Sequence, residues 1–175
     1  MNRFSLIMAG LAIGLCAANA QVKKETVPGI TNYAHVETTV ACAGAVTNDS
    51  VAGIKKMGYA SIINLRLANE KGADIEGETA AAKAAGINFF HIPFNGAMPE
   101  AAVADQFMKT ITAAGNQPAF IHCASGNRAA AMWMVKRVLI DKWDNERAAE
   151  EATQLGLTNP ALKTFALDYI QAHKK

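Results

Sequence analysis

Residues 120–128 read FIHCASGNR, and this stretch predicts a buried strand, then a tight loop, then the start of a helix. The apolar residues that lead to His122 have the composition of a strand, and Arg128 begins a long helical pattern. Loops of this kind, at the carboxyl ends of strands in open α/β sheets, are where ligands bind. The sequence therefore predicts a ligand site around Cys123.

The residue types in this loop point to anion chemistry. A helix start directs unpaired N–H groups and a positive dipole end at the loop, and Gly126 allows those groups to converge. Arg128 adds a fixed two-pronged donor for an oxyanion. This field favours the thiolate of Cys123, which is the form that acts as a nucleophile. The plainer alternative is a small buried cysteine at a strand end.

The histidines give no strong sign of a second functional site outside this loop. We expect His122 to hydrogen-bond to loop carbonyls and tune the thiol, or else to be a satisfied core residue. His91 precedes a proline at the end of a predicted strand. His35 and His173 do not cluster with it, so neither a metal site nor a cofactor is predicted.

Strand and helix patterns alternate along the rest of the chain. This alternation predicts one α/β domain over residues 21–175, with a central, mainly parallel sheet flanked by helices. Strands are predicted at 35–42, 60–65, 87–92 and 118–122. Helices are predicted at 47–56, 76–85, 100–114, 128–142, 145–155 and 160–173.

The first twenty residues have the pattern of a cleaved secretory signal peptide. A positive start at Arg3 precedes the apolar run 4–18, and small residues precede a cleavage site after Ala20. The run is short for a membrane span. A lipid anchor on Cys16 is a further alternative. The pattern predicts a secreted or periplasmic protein with no membrane insertion after cleavage.

Composition excludes several classes. The 175 residues are 51% hydrophobic and 18% charged, which is not a disordered chain. A net charge of +2 gives no argument for a nucleic-acid partner. Three cysteines cannot build a disulfide scaffold, but an oxidising compartment could pair Cys42 reversibly with Cys123. The alternative for Cys42 is a small buried residue.

Several segments together resemble the cysteine-dependent protein tyrosine and dual-specificity phosphatase superfamily. The strongest is the His-Cys pair with Gly126 and Arg128, and the resemblance extends over residues 33–172. It is closest to a small bacterial, phosphatase-like branch sometimes fused to beta-lactamase-like hydrolases. The supporting segments are GAVT (44–47), IINLR (62–66) with Glu70, AGI (85–87) and HIPF (91–94).

This resemblance implies a dual-specificity-phosphatase-like fold and a phosphate monoester substrate, either a small molecule or a protein. Cys123 would attack phosphorus, and water would then hydrolyse the thiophosphate. Arg128 would hold the phosphoryl oxygens together with the loop amides. The implied phosphate-binding residues are Ala124, Ser125, Gly126, Asn127 and Arg128.

The chain departs from that superfamily at three points. Four residues, not the usual five, separate Cys123 from Arg128, which narrows the cradle. Ala129 replaces the hydroxyl residue that helps the thiolate leave. The segment 95–97 lacks the usual general-acid aspartate, and the nearest carboxylates are Glu100 and Asp105. Glu100 is a candidate general acid if its loop folds inward, although a favourable charge in the first turn of a helix is the preferred explanation.

The short loop leaves two other functions open. It also resembles the loop of rhodanese-like sulfurtransferases, in which the cysteine carries a persulfide and a smaller cradle suits sulfur. A non-catalytic module that only binds anions is the remaining alternative. Near this loop, Arg66 and Glu70 are expected to form a structural ion pair that contributes at most about 1 kcal/mol.

Overall fold

The structure, a computed structural model, describes residues 21–36 and 39–174, so the predicted signal peptide lies outside the described residues. Its six-stranded sheet has the order β1-β2-β3-β6-β4-β5. The strands β3, β6, β4 and β5 run parallel, whereas β1 and β2 pair antiparallel at one edge. The predicted mainly parallel sheet is thus confirmed. The strands are β1 (Val22–Lys24), β2 (Ala34–Val36), β3 (Val40–Ala43), β4 (Ser61–Asn64), β5 (Asn88–His91) and β6 (Ala119–His122).

Helices cover both faces of this sheet, and local signals in the sequence set their ends. The side chain of Asp74 accepts a hydrogen bond from the Gly77 N–H at the start of α2, and left-handed Gly86 ends that helix. No helix of the described residues is long and apolar enough to cross a membrane. The helices are α1 (Val51–Lys56), α2 (Ile75–Ala85), α3 (Ala101–Thr112), α4 (Asn127–Leu139), α5 (Asn145–Gln154) and α6 (Pro160–His173), with a 3₁₀ turn (Asn48–Ser50) before α1.

The single strand predicted over 35–42 is wrong, since two antiparallel strands, β2 and β3, occupy this region. The Thr39 N–H donates to the Val36 carbonyl at 2.9 Å where the chain reverses. Similar residue types lie on both sides of this reversal, so composition alone does not reveal it. The edge strand β1 is also absent from the prediction, and α4 ends at Leu139 instead of 142.

The most buried helix, α4, positions the candidate site. Large side chains such as Trp133 and Met132 are fully buried on it, and the small residues Ala129, Ala130 and Ala131 allow close packing. It contacts α5 and α6 and follows the central strand β6. Because both elements are locked in the core, the loop between them is held at the centre of the sheet's carboxyl edge.

Candidate active site

The loop between β6 and α4 forms a cradle of backbone amides around a thiol. Gly126 has a left-handed φ of 99°, and the first helical bond runs from the Ala130 N–H to the Gly126 carbonyl. The amides of the first helical turn therefore have no partner within the helix. The Gly126 N–H donates to Cys123 Sγ at 3.1 Å. This contact and the helix dipole both favour a thiolate at Cys123.

The outer side of the cradle is held by the neighbouring strand β3 and the turn before β2. The Ala45 N–H donates to the Ala124 carbonyl at 3.1 Å, and Asn32 Nδ2 donates to the Ser125 carbonyl at 3.2 Å. A Cβ at Gly44 would lie 2.9 Å from the Ala124 carbonyl oxygen, so this close approach needs glycine.

Hydrogen bonds hold one side of the Arg128 guanidinium, and the other side faces the Cys123 thiol. Its Nη1 donates to the carbonyls of Leu65 and Phe94 at 3.0 and 2.7 Å. Glu70 accepts from Nη1 and Nη2 at 2.6 and 2.9 Å. Burial lowers the pKa of Arg128, but hydrogen bonding to Glu70 and the nearby Cys123 outweigh burial and raise the pKa above its usual value. The guanidinium therefore remains charged beside the thiol.

Glu70 is the acidic partner of this arginine. Burial raises the pKa of Glu70, but hydrogen bonds from Arg128 and from the Leu67 N–H outweigh burial and lower that pKa to about 2. Arg66 Nε also approaches Glu70, at 3.4 Å, as the expected ion pair. The sequence interpretation treated Glu70 as structural. The structure adds a direct ion pair with Arg128, which lies 58 positions further along the chain and which no local sequence pattern indicates.

We expected His122 to hydrogen-bond to loop carbonyls, but in the structure it does not. Its Nε2 lies 2.8 Å from Oε1 of Glu78 on α2, at the distance of an ion pair but without the alignment of a hydrogen bond. Asn64 Nδ2 donates to Oε2 of the same carboxylate at 2.7 Å. Sequence reasoning missed Glu78, because an acidic residue on an Ala-rich helix is normally solvated.

A cleft of about 290 Å³ opens over the cradle. Glu100 is exposed at the start of α3 and does not line this cleft, and Asp105 accepts a hydrogen bond from Tyr169 at 2.5 Å. The carboxylate that does line it is Glu70. The cleft is lined by Leu67, Glu70, Asn95, Gly96, Ser125, Asn127, Arg128, Asn159 and Leu162.

Asn127 has a structural contact in addition to its predicted role in phosphate binding, which stays a prediction. Its side-chain Oδ1 accepts from the N–H groups of Thr158 and Asn159 at 2.7 and 2.8 Å, which ties the cradle to the loop before α6. Its backbone amide and its side-chain Nδ2, which lies 3.4 Å from Ser125 Oγ, are not used by this tie. Together with Ser125 it separates the cleft from a larger groove of about 620 Å³.

Cys42 and Cys123 are both free and buried in the structure. Cys42 lies opposite Ile121 across β3 and β6, and it shares a core cluster with Cys123. Burial raises the pKa of Cys42 well above its usual value, and the nearby Cys123 raises it further. The predicted pairing of these thiols stays a prediction.

The fold and the strand–loop–helix junction are those of a phosphatase-like domain. Residues 32–140 match the family described as beta-lactamase hydrolase-like protein, phosphatase-like domain. The chain belongs to this family, and the resemblance stated from the sequence is confirmed.

Three known proteins illustrate this relationship. A beta-lactamase hydrolase-like protein from Xylella fastidiosa is 30% identical over 125 residues, which are 69% of this chain but 27% of that protein. A DUF442 protein from Shewanella putrefaciens CN-32 has a TM-score of 0.72 at 17% identity, over 84% of this chain and 94% of that chain. TpbA from P. aeruginosa, in complex with pTyr, has a TM-score of 0.64 at 17% identity, over 90% and 93%. The chain thus spans about a quarter of the length of its curated relatives, and the solved structures support the fold.

Proposed function

We propose that this protein is a cysteine-dependent phosphatase that hydrolyses phosphate monoesters through a thiophosphate intermediate on Cys123. The observation that carries the proposal is the 3.1 Å contact from the Gly126 N–H to Cys123 Sγ, next to the charged Arg128. A nucleophile and an oxyanion cradle in one short loop are the two groups that this chemistry needs.

In the first step, the thiolate attacks phosphorus, and an S–P bond forms as the bond to the leaving oxygen breaks. Loop amides and Arg128 hold the three equatorial oxygens, where negative charge is spread in the transition state. In the second step, water attacks phosphorus, and the S–P bond breaks to release phosphate and the thiolate. Ala129 supplies no hydroxyl to stabilise that thiolate, so we expect this step to be slow.

Phosphorylated small molecules or proteins form the proposed substrate class. Because Glu100 lies outside the cleft in the structure, its role as general acid remains part of the proposal and requires movement of the loop before α3. A phenolate leaves with less help from an acid than an alkoxide does. An aryl phosphate is therefore the substrate to try first, and the pTyr bound to TpbA agrees with this choice.

The decisive experiment measures aryl phosphate hydrolysis by reduced protein, with Cys123→Ser and Cys42→Ser as a matched pair. We expect turnover in the wild type and in Cys42→Ser, and none in Cys123→Ser. Mass spectrometry of the rapidly quenched wild type should find a phosphoryl group on the peptide that contains Cys123. Hydrolysis that survives in Cys123→Ser would contradict the proposal.

Sulfur transfer is the second candidate, and the short loop favours it. Only four residues separate Cys123 from Arg128, and they leave a smaller ring of amides. Here the thiolate takes the outer sulfur of thiosulfate and releases sulfite, and cyanide then removes that sulfur as thiocyanate. Thiocyanate production that requires Cys123, without aryl phosphate hydrolysis, would select this function. Failure of both assays, with vanadate or phosphate still bound, would leave an anion-binding module.

The proposed location is the periplasm or the exterior of the cell, with cleavage after Ala20. The signal pattern in residues 1–20 supports this location. Mass analysis of protein recovered from an exported fraction should give a chain that begins at Gln21. An intact chain retained in the cytoplasm would contradict this location.

A further inference from the structure

A buried acidic side chain contacts the residue that precedes the nucleophile, and the mechanism above does not use it. The side chain of Glu78 is 5% exposed, and its Oε1 is 2.8 Å from Nε2 of His122, the residue before Cys123. Its other oxygen, Oε2, accepts from Asn64 Nδ2 at 2.7 Å. Glu78 is therefore held from two sides, by the ends of β6 and β4.

A buried carboxylate is costly unless a cation balances it. Arg66 follows β4, but its guanidinium donates to another carboxylate and to two backbone carbonyls. Asp74, which caps the start of α2, adds a second negative charge, and the ring of His91 on β5 is hydrogen-bonded to the Arg66 carbonyl. Within the described part of the chain, the ion pair of Glu78 is the one with His122.

The uncharged alternative is unfavourable at this position. Both ring nitrogens of His122 and Oε1 of Glu78 are buried and have no hydrogen-bond partner among the described residues. A neutral ring gains only a weak charge–dipole attraction to Glu78, whereas a charged pair at 2.8 Å gains full Coulomb attraction in a poorly screened interior.

We propose that Glu78 is a positioning residue that holds His122 as an imidazolium, so that a buried positive charge lies one residue behind Cys123 and favours its thiolate. The proton remains on the imidazole, and no bond is made or broken. The inference rests on the proposed role of Cys123 as the nucleophile.

Glu78→Gln distinguishes this role from a direct effect of the Glu78 charge on the thiol, because the two predict opposite changes in the ionisation of Cys123. Glu78→Gln keeps the side-chain size and an oxygen for Asn64, and it removes the negative charge. If that charge acted on the thiol directly, its loss would make ionisation of Cys123 easier. If it acts through His122, the imidazole loses its proton, the thiolate loses a neighbouring cation, and ionisation becomes harder.

The experiment follows alkylation of Cys123 by neutral iodoacetamide across pH in the full-length reduced chain. Mass spectrometry of the peptides resolves Cys123 from the other cysteines. We expect Glu78→Gln to raise the pH of half-maximal alkylation by about one unit. Glu76→Gln, an exposed charge change on the same helix, should leave it unchanged. A midpoint for Glu78→Gln that is unchanged or lower would overturn the proposal.

A second measurement needs no folded variant of Glu78. Nitrogen NMR of the imidazole in the wild type reports whether His122 is charged, with its resonance identified by loss in His122→Gln. We expect an imidazolium near neutral pH, and a neutral ring would overturn the proposal. Neither measurement requires turnover, so a chain inactive on aryl phosphate would refute the proposed function without deciding this inference.

Discussion

Glu70 holds Arg128 in the orientation that leaves its remaining N–H groups for an anion. Its two oxygens lie 2.6 and 2.9 Å from the guanidinium nitrogens. We expect Glu70→Gln to lower kcat/KM for an aryl phosphate about 10- to 100-fold, because a charge-assisted hydrogen bond contributes about 1.5–3 kcal/mol. Glu76→Gln, exposed and remote from the cleft, is the matched control. An unchanged kcat/KM in Glu70→Gln would contradict this role.

The lowered pKa of Glu70 also predicts how the stability of the fold depends on pH. Its pKa is lowered to about 2 in the folded protein, against roughly 4.3 in an unfolded chain. The stabilisation is therefore present above the unfolded value and is lost as pH falls from about 5 to about 2. Urea unfolding over this range should show a steeper loss of unfolding free energy in the wild type than in Glu70→Gln. Equal slopes would mean that the pair does not contribute.

Asn127 connects the cradle to the loop before α6 through two backbone N–H groups. We expect Asn127→Ala to lower the free energy of unfolding by about 0.5–1.5 kcal/mol, since two backbone N–H groups at the surface lose their acceptor. Asn127→Asp keeps an acceptor oxygen and should restore stability. Its new negative charge should still weaken vanadate binding at the cradle. Thermal unfolding and vanadate titration together check this, and an Ala variant as stable as the wild type would contradict it.

At the scale of secondary-structure elements, the residue that follows β3 packs tightly against the backbone of the cradle loop. A Cβ at Gly44 would lie 2.9 Å from a backbone oxygen of Ala124. We expect Gly44→Ala to destabilise the protein by about 1–3 kcal/mol and to reduce activity, because the loop must shift. Gly53→Ala, in open space on α1, should instead be neutral or stabilising by up to about 1 kcal/mol. Chemical unfolding of both variants tests the pair, and equal effects would contradict the assigned contact.

Helix α4 shows how much of one element can be inferred from sequence. Its start is marked by Gly126, and its small residues after Arg128 predict close packing, so both features could be inferred. Its charged last turn was not predicted to be buried, yet Arg137 lies between two tryptophans and pairs with Glu151. That partner comes from α5, and no local pattern on α4 indicates it.

On the scale of the whole molecule, Cys42 and Cys123 remain predicted partners. Diagonal neighbours on adjacent strands lie about 7–8 Å apart, whereas a disulfide joins Cα atoms about 4.4–6.8 Å apart. Pairing therefore requires the cradle loop to move. Mild peroxide should convert Cys123 to a sulfenic acid, which condenses with the Cys42 thiol and releases water.

Peptide mapping without reduction should then find the Cys42–Cys123 disulfide in the wild type. Prior addition of vanadate, which occupies the cradle, should slow its formation. Cys42→Ser is the control, and there Cys123 should be oxidised further to the sulfinic acid. Sulfinic acid at Cys123 in the wild type, with Cys42 still free, would contradict the prediction.

The local chemistry of this protein could be determined from the sequence, because it depends on neighbouring residues. The strand–loop–helix junction, its cysteine and its arginine lie within nine consecutive residues, and helix caps such as Asp74 act within one turn. Only the tertiary structure brings Glu70 to Arg128 and Glu78 to His122, across 58 and 44 positions of the chain. Both contacts exist because β4 and its following helix pack beside β6. A sequence does not show that a charged side chain is buried, because burial depends on which other element covers it.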